Sequence, residues 1–89
     1  MNEKQAWEHI KEIYQEMVDS GTRNTEVAGV CSVILDLRDN KEISFEISQE
    51  MGNKVAIYME DYSGHYLAPL TVSGAKVRVR FCNLMISEL

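Results

Sequence analysis

Val27-Ala28-Gly29-Val30-Cys31-Ser32-Val33-Ile34-Leu35-Asp36-Leu37, then Arg38-Asp39-Asn40, then Lys41-Glu42-Ile43-Ser44-Phe45-Glu46-Ile47-Ser48, is the stretch on which the fold turns. The first run is rich in β-branched and aliphatic residues, as strands are. Arg38-Asp39-Asn40 has the chemistry of a three-residue hairpin loop, with Asn able to take the left-handed conformation at its last position. That loop pairs Leu37 with Lys41, Leu35 with Ile43, Val33 with Phe45 and Cys31 with Ile47. The second run, residues 42–48, alternates strictly between polar and apolar, which is the period of a half-buried strand. A loop over residues 49–53 follows, with Gly52-Asn53 as its turn. Residues 54–60 complete a three-stranded antiparallel meander.

The apolar face of this meander carries Val33, Leu35, Ile43, Phe45, Ile47, Val55, Ile57 and Met59. Its other face carries Asp36, Glu42, Glu46, Tyr58 and Glu60, and Asp61 continues the acidic edge. Asp36, Glu42 and Glu60 fall side by side across the three strands. Like charges directly opposite one another destabilise a sheet. A solvated face with an acidic bias is one reading. A surface built for a basic partner is the other, and its contact residues are Asp36, Glu42, Glu46, Tyr58, Glu60 and Asp61.

Upstream, Asn2 and Gln5 form a capping box that opens a helix from Glu3 to about Ser20, and Gly21 closes it. Ala6, Ile10, Ile13 and Met17 recur at helical spacing, with Trp7, Tyr14 and Val18 widening the stripe. Glu8, Glu12, Glu16 and Asp19 lie on the opposite side, against Lys4 and Lys11, and form a second acidic ridge, in which the three glutamates repel at four-residue spacing. Downstream, residues 71–89 carry two patterns. Ala75, Val79, Cys82, Ile86 and Leu89 follow a helical stripe with Thr71 as its N-cap, whereas Val77-Arg78-Val79-Arg80-Phe81 alternates like a strand. The helical pattern is the longer. The expected fold is therefore α+β, in the order α-β-β-β-α. One helix on a five-stranded antiparallel sheet is the alternative.

Eighty-nine residues make one domain, residues 1–89, with one modest core. The net charge is −5 and it is uneven: residues 1–61 hold thirteen of the fourteen acidic side chains, residues 62–89 only one. Net acidity opposes direct binding to nucleic acid and to anionic membranes. No apolar run approaches a membrane span, and Met1-Asn2-Glu3-Lys4-Gln5 lacks the apolar core of a signal peptide, so a cytoplasmic location is expected. Cys31 and Cys82 are expected as free thiols. Neither cysteine forms a Cys-x-x-Cys pair. Neither histidine (His9, His65) sits in a metal-ligand or catalytic spacing, and no Gly-rich phosphate loop occurs. No cofactor, no metal and no enzymatic activity are expected.

Helix, meander, helix is also the order of double-stranded-RNA-binding domains, which this chain resembles in outline. Lys76, Arg78 and Arg80 lie near the basic start of that family's last helix, but its Lys-Lys-x-Ala-Lys pattern is absent. In size, acidity and element order the chain also resembles small phage-encoded inhibitors, anti-CRISPR proteins among them. That resemblance implies a nucleic-acid mimic whose carboxylates occupy the basic groove of a nucleic-acid-binding effector such as a Cas nuclease. Two other expectations stand beside it. One is a structural protein that forms a homodimer through a sheet edge or the stripe of the last helix. The other is a small nucleic-acid binder using Lys76, Arg78 and Arg80.

Overall fold

The computed structural model describes residues 1–21, 29–58 and 72–89, and it places four helices there and no strand. The first helix, α1 (Glu3–Ser20), is the one expected. The Gln5 amide donates to Asn2 Oδ1 at 2.8 Å, and the Asn2 amide donates back to Gln5 Oε1 at 2.9 Å. At the other end Gly21 takes the left-handed conformation (φ 65°) and its N–H donates to the Met17 carbonyl at 3.0 Å. Glycine reaches that region without the Cβ clash other residues suffer. Ala6, Trp7, Ile10, Tyr14 and Met17 form the buried stripe.

The α+β expectation fails between residues 29 and 58. The first expected strand is α2 (Val30–Asp39), and the other two merge into α3 (Phe45–Tyr58). Val30, Val33, Ile34 and Leu37 are buried, at the i, i+3, i+4, i+7 spacing of one helix face, while Leu35 is 45% exposed. In the expected hairpin Leu35 faced the core and Ile34 did not. The alternation at residues 42–48 is likewise broken in space. Phe45 is 59% exposed although it sat on the apolar face, and Ser48 is buried although it sat on the polar one.

What happens at the expected hairpin loop is a helix stop. Lys41 is left-handed (φ 60°), its N–H donates to the Arg38 carbonyl at 3.0 Å, and the Glu42 N–H donates to the Leu37 carbonyl at 2.9 Å. These 5→2 and 6→1 bonds are a Schellman motif, which satisfies carbonyls that the end of α2 would otherwise leave open. Ser44 then starts α3: its Oγ accepts from the Ile47 N–H at 3.1 Å, and Glu46 places a carboxylate in the positive first turn. Ile47, Met51, Val55 and Tyr58 recur at i, i+4, i+8, i+11 and all pack on the core, so the stripe runs straight through Gly52-Asn53. α2 and α3 thus form a helical hairpin.

The last segment resolves as α4 (Val72–Ser87); its expected N-cap, Thr71, lies outside the described residues. Ala75, Val79 and Cys82 of the expected stripe are buried, together with Phe81 and Met85. α4 packs along α1, which is the largest contact between elements. The two run antiparallel, since Trp7 meets Phe81 in an edge-to-face contact (centroids 5.5 Å apart, 82° between planes) while Tyr14 lies beside Arg78. Each large side chain fully buried along this seam contributes about 1.5–3 kcal/mol of hydrophobic stabilisation, and the ring pair adds about 1 kcal/mol. Glu3 then ties α1 to α3. One carboxylate oxygen, Oε2, accepts from Trp7 Nε1 at 3.0 Å and from the ammonium of Lys54.

Candidate functional site

Of the six residues expected to contact a partner, the four described do not form one cluster. Asp36 is exposed on α2, Glu42 is exposed in the Schellman turn, and Glu46 is exposed in the first turn of α3. Tyr58 is the last residue of α3, about 18 Å along the helix axis from Glu46. It is half-buried against the core, so it is a packing residue and not a neighbour of these carboxylates. Glu60 and Asp61 lie outside the described residues, as do the loop with His65 and the connection over residues 22–28. The cross-strand row of Asp36, Glu42 and Glu60 has no sheet to support it.

Charges of both signs also mix at the α2–α3 corner. Glu42 lines a cleft of about 590 Å³ together with Arg38, Lys41 and Phe45. Arg38 pairs with Asp39 at 3.2 Å. Like-charge crowding, which motivated the sheet-face surface, is absent at this corner.

On α1 the crowding is present. Glu8, Glu12, Glu16 and Asp19 are all exposed, opposite the buried stripe. At 1.5 Å rise per residue the row extends about 16 Å, with the glutamates about 6 Å apart. None of the three glutamates makes an ion pair among the described residues; Asp19 accepts a hydrogen bond from Gln15 Nε2 at 2.9 Å. Two costs follow. Neighbouring carboxylates at i, i+4 repel by a few tenths of a kcal/mol per pair. Asp19 also sits at the negative end of the helix dipole, where no basic residue offsets it. The sequence shows this ridge plainly, whereas the expected contact residues were drawn from the alternation over residues 42–48, which is not a strand. Glu46 and Glu50 form a shorter pair of the same kind on α3, both exposed.

The basic residues of the C-terminal segment divide in space. Lys76 and Arg80 are exposed one turn apart on α4, whereas Arg78 is 1% exposed. On a helix, residues two apart point in nearly opposite directions. The three therefore form no single basic patch for nucleic acid. The Arg78 guanidinium lies 5.6 Å from the centroid of the Tyr14 ring. Burial lowers its pKa from the ordinary value, and the facing Tyr14 opposes that shift. Burial pushes the Tyr14 phenol up to about 12, against the pull of Arg78. The Cys82 thiol is pushed up to about 12 for the same reason, against the pull of Lys11. Both groups are therefore protonated at neutral pH, and neither is a nucleophile there. Cys31 is an exposed free thiol on α2, and desolvation raises its pKa as well.

Among the described residues no group of three or more His, Cys, Asp and Glu side chains is placed to hold a metal ion. Among them, too, no helix is long and apolar enough to cross a membrane. No family model, no curated protein and no solved structure matches this chain.

Proposed function

We propose that this protein is a non-enzymatic binding protein that docks the exposed ridge of α1 onto a basic, nucleic-acid-binding partner. The observation that carries the reading is the row Glu8, Glu12, Glu16 and Asp19: exposed, without ion pairs among its glutamates, and electrostatically costly to the helix that bears it. A row of carboxylates spaced along a rigid helix, with Lys4 and Lys11 at its edge, offers a basic groove a linear array of anions. It would speed association by steering and make binding sensitive to salt. This keeps the charge part of the likeness to phage-encoded inhibitors. The architectural part, which rested on the meander, is dropped.

Affinity capture from a bacterial lysate tests it, with the wild-type chain and the triple variant Glu8→Lys, Glu12→Lys, Glu16→Lys as baits. All three sites are exposed and lysine is a good helix former, so the variant should keep its helical circular dichroism. The wild-type chain is expected to retain basic nucleic-acid-binding proteins that a DNA oligonucleotide and raised salt both displace. The variant is expected to lose them. An unchanged set of captured proteins, or no competition by the oligonucleotide, would reject the ridge as the docking surface.

Of the two surfaces named for a homodimer, the sheet edge is absent among the described residues, while the α4 stripe leaves Ile86 half-buried and Leu89 exposed. Ala75, Val79 and Cys82 of that stripe are buried in the core.

A further inference from the structure

A groove of about 380 Å³ lies between α1 and α4, lined by Gln15, Val18, Lys76, Val79 and Arg80. Its floor is apolar, from Val18 and Val79, and both charged residues in its lining are cations. Lys76 and Arg80 are exposed and four residues apart, so they repel each other across one helical turn. Neither makes an ion pair among the described residues, although the chain carries a net charge of −5. From α1 the lining takes Val18 and the neutral Gln15, whose amide donates to Asp19 on its own helix. A small anion between Lys76 and Arg80 would relieve their repulsion, and an apolar tail on that anion would cover the two valines. The volume falls at the lower end of the range of small-molecule sites.

We propose that this groove binds an amphiphilic anion: a carboxylate or phosphate head held by Lys76 and Arg80, with a short alkyl tail laid on Val18 and Val79. The groove borders the ridge of α1, since its Gln15 donates to Asp19, but the two cations that would hold the head are on α4. Binding across α1 and α4 links the two helices that share the main seam. It should therefore raise the melting temperature with ligand concentration.

The test is thermal denaturation and amide chemical-shift titration of the full chain with octanoate, octanol and inorganic phosphate. Octanoate should raise the midpoint and shift the amides around Val18 and Val79. Octanol lacks the charge and phosphate lacks the tail, and each should bind roughly tenfold more weakly or worse, since a charge-assisted contact or a buried tail each supplies at least that factor. Lys76→Gln with Arg80→Gln should abolish the octanoate response without changing the ligand-free spectrum, because both side chains are exposed. Octanol binding as well as octanoate would overturn the proposal, as would phosphate doing so. An undiminished response in the double variant would overturn it too. Co-sedimentation with phosphatidylglycerol vesicles in the absence of any octanoate response would overturn the free-ligand assignment in favour of a bilayer surface.

Discussion

Gly52 is the position where two structures of the same sequence make opposite predictions. It lies inside α3, near the middle of a helix that runs from Phe45 to Tyr58. An ideal Cβ built on it meets nothing within 4 Å. Gly52→Ala therefore adds a methyl group without a clash. It also removes backbone freedom from the unfolded chain, and glycine inside a helix costs about 0.5–1 kcal/mol relative to alanine. The substitution is expected to stabilise the protein by that amount, about 0.5–1 kcal/mol, which for a domain of this size is a rise of roughly 2–8 °C in the melting temperature. Thermal and urea denaturation followed by circular dichroism at 222 nm would measure it, with the urea slope unchanged. Were Gly52-Asn53 a turn with a left-handed glycine, the same change would destabilise by about 1 kcal/mol or more. A loss of stability in Gly52→Ala would thus refute the continuous α3 and the stripe of Ile47, Met51, Val55 and Tyr58 that depends on it.

Lys41→Gly is expected to stabilise by about 0.5–1 kcal/mol, because Lys41 holds the left-handed C′ position where glycine is the unstrained residue; a lowered urea midpoint would count against the Schellman motif. Glu3→Ala removes the acceptor shared by Trp7 Nε1 and Lys54 and is expected to cost about 1–3 kcal/mol. In a double-mutant cycle with Lys54→Met, a coupling near zero would show that the α1–α3 tie is not made in solution. Alkaline stability should fall because the folded state holds protons that the unfolded chain releases. The Cys82 thiol and the Tyr14 phenol rise from ordinary values of 9.0 and 10.0 to about 12 on folding. Their contribution is fully present below pH 9, and it is lost as pH rises toward about 12, at about 1.4 kcal/mol per pH unit for each group in its window. Urea unfolding at stepped pH checks this. In Cys82→Ala the decline above pH 9 should be shallower, since the Cys31 and Tyr14 shifts remain, and an unchanged profile would contradict the assignment.

α1 was fully legible because its signals are local and agree with one another: a capping box, an apolar stripe and a C-terminal glycine. α4 was half legible, since Val77 to Phe81 satisfies two periods at once and only packing on α1 decides between them. α2 and α3 were not legible. Val30, Val33 and Ile34 are β-branched residues whose preference is strand-like, and that preference is worth less than the burial their helical face gains. Strict alternation over seven residues reads as a strand, and Gly52-Asn53 hides the longer stripe from Ile47 to Tyr58 by interrupting it with turn residues. The candidate surface failed along with the sheet. Face assignments inherit the period they are drawn from, so Tyr58 and Phe45 were placed on the wrong sides. The α1 ridge survived because its helix was read correctly.

The seam between α1 and α4 joins segments that lie far apart along the chain, with residues 21–71 between them. Closing so long a loop carries an entropic penalty that a neighbouring hairpin such as α2–α3 escapes. An all-helical domain ordinarily folds quickly because its contacts are local. Here the heaviest contact is a distant one, which gives a helical protein something of the slower kinetic character of a sheet. The α2–α3 pair is expected to form early, and the encounter of α1 with α4 to set the pace at which the native state assembles.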